Sequence, residues 1–180
     1  MTTDLRSWAA RTARARLCEL PRRWAHTQGV ARRAALAAGV VDDPDLLIAA
    51  AWLHDIGYAP DLVRTGFHPI DGTIHLAAQG ISDRLCGLVA HHSCASVEAR
   101  NRGLTIDWPD ERTSLRDALW WADLTTTPTG EVTDGSSRIE EVRRRYGADH
   151  VVTRSVVEAA PELLAAVGRT ERLLAERDQV

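Results

Sequence analysis

In the stretch LLIAAAWLHDIG, eight apolar residues from Leu46 to Leu53 run without a break into His54 and Asp55. A helix with no polar face belongs inside its domain, and an unpaired charge there is costly. The combination recurs in DALWWADLT, where Leu119, Trp120, Trp121, Ala122 and Leu124 surround Asp123. Six of the seven histidines fall between His26 and His92. Two buried acids accompanied by clustered imidazoles are explained together by a shared cation. His54 and Asp55 stand about 100° apart around a helix axis, so they straddle a point at its edge. His26, in RRWAHTQGVARRAALAA, shares a face with Ala34 and lies one turn from Val30. In ISDRLCGLVAHH, Ile81, Leu85, Leu88 and Val89 mark the inward stripe; His92 falls in its centre and His91 at its margin. Imidazole and carboxylate donors suit Fe, Mn, Co, Ni or Zn rather than Ca or Mg alone. The surplus of histidines implies two divalent ions, with a water between them deprotonated near neutral pH. The competing explanation is a polar cluster whose members satisfy one another through many hydrogen bonds.

These side chains need helices to carry them, and helical signals dominate. Ala is abundant, Val and Ile rarely alternate with polar residues, and capping patterns recur. The pattern predicts helices over about 4–19 and 22–38, the latter opened by Pro21 and closed by Gly39. Asp43 followed by Pro44 caps a third that runs to about Tyr58. The loop APDLVRTGF leads to His68, extended before Pro69 at the entrance of a helix over about 69–79. Gly80 separates that helix from ISDRLCGLVAHHS. A connection over 101–109, a helix over 110–125 and the least ordered-looking stretch, TTTPTGEVTDGSS, come next. C-terminal helices are expected near 137–146, 149–158 and 160–178. The expected fold is all-α, a compact helical bundle forming a single domain over 1–180.

Composition narrows the function. At 180 residues, with 44% hydrophobic residues, the chain can bury a substantial core. A net charge of −3 and the absence of a basic block speak against nucleic acid as a partner. All 22 basic residues are Arg, which reflects composition bias rather than function. Cys18, Cys86 and Cys94 form no CxxC pair and suit a reduced, cytoplasmic protein. The Arg-rich N-terminus carries Asp4 and Glu19 and lacks an apolar core, so it reads as an amphipathic helix rather than a secretory signal. No run reaches the length of a membrane span, and no membrane partner is expected. The six Trp residues read as core, and His150 as a surface residue. Asp71 and His75 share a helix face as a proton-transfer pair or a plain surface contact, outside the metal set.

His26, the dyad His54–Asp55 in LHDIG and the late Asp123 resemble the H…HD…D signature of the HD-domain metal-dependent phosphohydrolases, over roughly 20–125. The segment beyond, about 137–178, is then a C-terminal helical extension. GFHPIDG resembles the added-histidine segment of dinuclear members that cleave diadenosine polyphosphates, which implies His68 as a ligand. GLVAHHS resembles the later one, which implies His91; the HD-GYP branch carries a His pair there, so His92 is a second candidate. The GYP segment itself is missing, since SCASVEARNRGL follows, which argues against cyclic dinucleotide cleavage. The resemblance implies an all-α bundle and a metal ligand set of His26, His54, Asp55, His68, His91, His92 and Asp123. Within that set His54 and Asp55 are the catalytic dyad. It also implies hydrolysis of a phosphate ester or anhydride in a small phosphorylated metabolite or nucleotide, through a metal-activated hydroxide. Arg23, three positions before His26, and Arg64, in the loop before His68, are candidate phosphate contacts. Two other functions fit the same resemblance: a di-iron oxygenase, and a non-catalytic module that senses a nucleotide.

Overall fold

The computed structural model describes residues 4–179, so residues 1–3 and 180 of the span expected to form one domain lie outside the described residues. Among the described residues there are nine α-helices: α1 (Leu5–Leu17), α2 (Pro21–Leu36), α3 (Pro44–Leu53), α4 (His68–Ala78), α5 (Asp83–Ala90), α6 (Ala95–Asn101), α7 (Ser114–Leu124), α8 (Gly135–Tyr146) and α9 (Val151–Arg177). No sheet forms among them; a single isolated antiparallel bridge pairs Thr126 with Val132. The all-α expectation holds. No helix is long and apolar enough to cross a membrane among the described residues.

The unbroken apolar run becomes α3, whose residues Leu46–Ala51 and Leu53 are all buried. Asp43 caps it by accepting the Leu46 N–H at 3.0 Å, as the Asp-Pro pair predicts. Helices α1, α2, α5 and α7 surround it, while α9 lies across α6, α7 and α8. A chain rich in Ala lets these helices approach closely: Ala9, Ala13, Ala34, Ala49, Ala50, Ala51, Ala118 and Ala122 all sit in the core. Packing α3 on every side leaves only its C-terminal end open, and there the chain places His54 and Asp55.

Several boundaries differ from the expectation, each for a local reason. Helix α3 stops at Leu53 instead of Tyr58, and Ile56–Tyr58 tightens into a 3-10 turn. The cause is Gly57, packed against α4: a Cβ there would lie 2.6 Å from the Gly72 nitrogen. Helix α6 was not anticipated. It follows Ser93 and Cys94, both left-handed at φ 48° and 59°, a reversal no side-chain pattern announces. Helix α7 begins at Ser114, where the Thr113 side chain caps it. The two helices expected near 149–158 and 160–178 are one continuous α9. Pro161 removes a bond to the carbonyl four residues earlier, but it sits on the exposed face, where water satisfies that group.

The stretch 125–137 is held rather than loose. Thr127 N–H donates to Glu131 O at 2.8 Å, and Arg32 Nη2 donates to Gly130 O at 3.1 Å. Gly29 and Gly130 make this possible: a Cβ on Gly29 would meet the Gly130 Cα at 2.6 Å. Their contact lays the segment on α2, directly over His26.

Candidate metal centre

Four helix ends and one helix interior converge below the C-terminus of α3. His54 and Asp55 come from that terminus, His68 from the start of α4, His92 from just beyond α5, Asp123 from the last turn of α7 and His26 from the first half of α2. All but His68 belong to the buried interior by residue or nearly so, and His68 is 19% exposed by its side chain.

Three of the four imidazoles are oriented in the same way. His54 Nδ1 donates to Ala51 O at 2.8 Å, His92 Nδ1 to Val89 O at 2.7 Å and His26 Nδ1 to Thr127 O at 3.0 Å. Each backbone carbonyl holds a proton on Nδ1 and turns Nε2 inward, the orientation a metal-binding histidine needs. At His54 and His92 this leaves the Nε2 lone pair free, whereas His26 Nε2 donates to Asp123 Oδ1, a proton that a cation would replace. The Nε2 atoms meet Asp55. They lie 4.0 Å (His26), 3.6 Å (His54), 3.3 Å (His68) and 3.9 Å (His92) from its carboxylate oxygens. Two donors each about 2.1 Å from one cation stand at most about 4.2 Å apart, so these separations suit ligation with little movement. Two triads result, His26–His54–Asp55 and Asp55–His68–His92, sharing Asp55. Asp123 Oδ1 stands beside the first, 2.9 Å from His26 Nε2 and 3.9 Å from His54 Nε2.

One atom decides whether a cation fits. His54 Nε2 is fully buried and has no hydrogen-bond partner among the described residues, although it faces two carboxylates. A polar cluster that satisfied itself would not leave that lone pair idle; a cation between it and the acids uses it.

The electrostatics point the same way. Burial would raise the Asp55 pKa, but the neighbouring His54 imidazole, the Arg23 charge and the His68 hydrogen bond hold it well below the usual carboxylate range. Burial is likewise outweighed at Asp123, by the His26 hydrogen bond above all. Both acids stay ionised. Burial pushes His68 down to about 4 against the pull of Asp55, and burial beside the His54 imidazole lowers His92. Their rings stay neutral, as ligands must be. His26 differs: burial opposes its charge, yet the Asp123 hydrogen bond and the charges of Asp123 and Asp55 raise its pKa.

Supporting contacts complete the site. Arg23 Nη1 donates to Asp55 Oδ2 at 3.0 Å and lies 3.6 Å above the Tyr58 ring, which stacks on His68 at 4.0 Å. The Ser93 hydroxyl donates to Asp123 Oδ2, so the two left-handed residues after His92 have a use: they turn Ser93 back toward α7. Strain of this kind is sustained where surrounding structure fixes it. Asp71 accepts from the Thr65 N–H and hydroxyl, each at 2.8 Å, and from the Gly66 N–H at 3.1 Å. It pins the loop before His68 instead of pairing with His75, which meets Gln79 at 2.7 Å.

Of the seven expected ligands, six gather here and His91 does not. Its Nε2 donates to Trp108 O at 2.7 Å, since α5 ends at Ala90 and the adjacent ring must face the other way. Helical phase pointed to His92; the resemblance named His91 first. Arg64 is exposed and absent from the cavity wall, and Arg23 is engaged by Asp55 rather than free. Tyr58, Ser93 and the Thr127 carbonyl were missed, because nothing in their local sequence marks a partner so distant along the chain.

A cavity of about 140 Å³ opens over the cluster. Its far wall comes from α8 and α9, with Val142, Tyr146, Val152, Val156, Ala159 and Leu163. Cys94 also borders it, but burial pushes its thiol up to about 12, which leaves it protonated and a poor nucleophile at neutral pH.

The glycine of LHDIG sets where α4, and hence His68, can sit. An added methyl at Gly57 would strike the backbone of His68 and Gly72, which cannot yield as a side chain tip does. Gly57→Ala is expected to cost about 1–3 kcal/mol in denaturant unfolding and to lower bound metal by moving His68. A variant as stable and as metal-loaded as the parent would show that α4 retreats freely.

A family model described as HD domain matches residues 23–128, more than half of the chain. No curated protein and no solved structure matches.

Proposed function

Because the chain belongs to the HD-domain family, we propose that it hydrolyses a phosphate ester or anhydride in a small phosphorylated molecule with the help of two divalent transition-metal ions. The fold and the buried His/Asp cluster support a metal-dependent hydrolase at the level of reaction class. The observation that carries the proposal is the shared Asp55: two triads meet on one ionised carboxylate, and His54 Nε2 has no other use.

His26, His54 and Asp55, with Asp123 beside them, would hold one ion, and Asp55, His68 and His92 the other. Bound there, such ions supply Lewis acidity toward a phosphoryl oxygen and a water of lowered pKa. The chain's own groups do the rest. Carbonyls of Ala51, Val89 and Thr127 keep three imidazoles in the ligating tautomer. Arg23 fixes Asp55 from the side facing the cavity, and Ser93 fixes Asp123. The Arg23–Tyr58–His68 stack limits how far His68 can turn. Walls from α8 and α9 border the space of about 140 Å³ over the cluster. We treat these helices and the HD core as one catalytic unit, and the three free cysteines fit a cytoplasmic setting.

Protein purified without chelator is expected to carry close to two equivalents of Fe, Mn, Co, Ni or Zn by elemental analysis. It should also release inorganic phosphate from members of a panel of phosphorylated metabolites and nucleotides under anaerobic conditions. Turnover that requires dioxygen and consumes it with substrate would assign the oxygenase chemistry that the same ligand set permits. Tight nucleotide binding with no turnover under any metal would assign a sensor.

A further inference from the structure

A second recess, about 190 Å³, adjoins the cluster and is lined by Arg22, Arg23, His26, Pro128, Arg138 and Arg145. It shares Arg23, His26, Arg138 and Arg145 with the cavity above the cluster, so the two adjoin at these side chains. Arg138 and Arg145 are two turns apart on α8 and therefore share a face; Arg22 and Arg23 open α2. Neither Arg138 nor Arg145 lies within the 23–128 match.

Charge in this recess is poorly balanced. Arg23 pairs with Asp55, and Glu141 accepts from both Arg138 and Arg145. Arg22 has no ion pair or hydrogen bond among the described residues. Three partly buried guanidinium groups, Arg138, Arg145 and Arg23 at 12%, 27% and 27% side-chain exposure, and the exposed Arg22 at the rim thus meet one carboxylate beyond the metal-site Asp55. Elsewhere the protein neutralises such groups: Arg116 and Arg169 face Asp117 and Glu162 between α7 and α9. The chain as a whole is acidic at −3, so the excess of cations is local. Crowded like charges in a partly buried site cost energy unless an anion joins them. Guanidinium forks suit phosphoryl oxygens in particular, and the space is several times the roughly 30 Å³ share of one water.

We infer that this recess is a subsite for a second phosphoryl group of the substrate, held by Arg22, Arg138 and Arg145 while the scissile group lies at the metal cluster. The inference rests on the hydrolase reading and narrows it to diphosphates and bisphosphates. Its test is equilibrium binding by calorimetry to the full chain with the metal it is purified with. Two matched pairs serve as probes: AMP with ADP, and fructose 6-phosphate with fructose 1,6-bisphosphate. The first pair adds an adjacent phosphoryl group and the second a remote one, which separates the two substrate types. In at least one pair the doubly phosphorylated member is expected to bind about tenfold tighter or more, the worth of one or two charged hydrogen bonds. The combined Arg138→Gln and Arg145→Gln variant should bring the ratio near one, and Arg22→Gln should reduce it. Arg22 has no partner to lose, so that variant reports even if the double one misfolds. Arg11→Gln, on the exposed side of α1, should leave the ratio unchanged. Equal binding within both pairs, or a ratio that survives both recess variants, overturns the subsite. Phosphate release from the panel is measured in parallel. A retained ratio with no release removes the hydrolase and keeps the subsite; release with a ratio near one does the reverse.

Discussion

Asp55→Ala is expected to empty both metal positions and to lower kcat/KM by more than the roughly 100-fold that loss of a supporting partner costs a metal enzyme. The reason is its double membership. Four Nε2 atoms lie within 4.0 Å of its oxygens, and neither triad retains a carboxylate without it. His54→Ala, by contrast, removes a donor from one triad only. The fold should survive, since Asp55 lies outside the apolar core that α3 organises. The abandoned Arg23 keeps its contact with the Tyr58 ring at 3.6 Å. Asp55→Asn is the stricter comparison: it retains shape and a hydrogen-bond acceptor for Arg23 but not the charge. Elemental analysis and phosphate release on the same preparations check both variants. Undiminished turnover by a metal-free Asp55→Ala protein would remove the mechanism altogether.

Asp55 was also the most legible part of the site, and the contrast with other residues is physical. An all-apolar helix ending in two ionisable side chains has few stable explanations, so LLIAAAWLHD announced both burial and the need for a partner. His92 was legible through helical phase, because Leu85, Leu88 and Val89 fix which way α5 faces. The turn that follows was not, since Ser93 and Cys94 take left-handed angles that their side chains do not favour. Long-range pairings were hidden as well. Arg23 shares a face with His26, which suggested a free cation, but its carboxylate partner lies 32 residues away. Arg64 sits in the right loop and points to solvent. The break expected between 158 and 160 does not occur, since Pro161 inside α9 costs little where the freed carbonyl meets water.

The C-terminal helices were legible as helices and illegible as a wall. Amphipathic patterning shows that α8 and α9 have apolar faces, yet it cannot say which surface they cover. In the structure α9 spans α6, α7 and α8, so residues after the family match close the cavity that residues within it open. On the proposed function, chemistry and selectivity would then be carried by different parts of the chain. Substitutions in 23–128 that touch the ligands should change turnover of every substrate, whereas changes on α8 should change which substrate is preferred.

Acidification should expose the cost of keeping imidazoles neutral in the interior. In metal-free protein the pKa of His68 is pushed down to about 4 and that of His92 is lowered too, each by burial first. Between about pH 6.5 and 4 the unfolded chain takes up a proton at each position and the folded chain resists it, so stability falls as pH falls. For His68 the full span amounts to about 3 kcal/mol. Other groups of the cluster leave the window above about pH 5 clear. Asp55 and Asp123, held below the usual range, begin to lose their stabilising contribution only below about pH 5, where the unfolded carboxylates take up protons. His26, with its raised pKa, is protonated in both states below about 6.5, and its stabilising contribution is lost only as pH rises through its folded value. His75 shifts in the same direction as His68 but lies nearer the surface. Urea unfolding of metal-stripped protein at intervals from pH 7 to 4.5 should show the decline. His68→Gln should flatten it, because a side chain that cannot take a proton gives the unfolded state no advantage. A parent protein equally stable across that range would mean that the folded rings at positions 68 and 92 take up protons as readily as the unfolded chain does, and that burial does not hold them neutral.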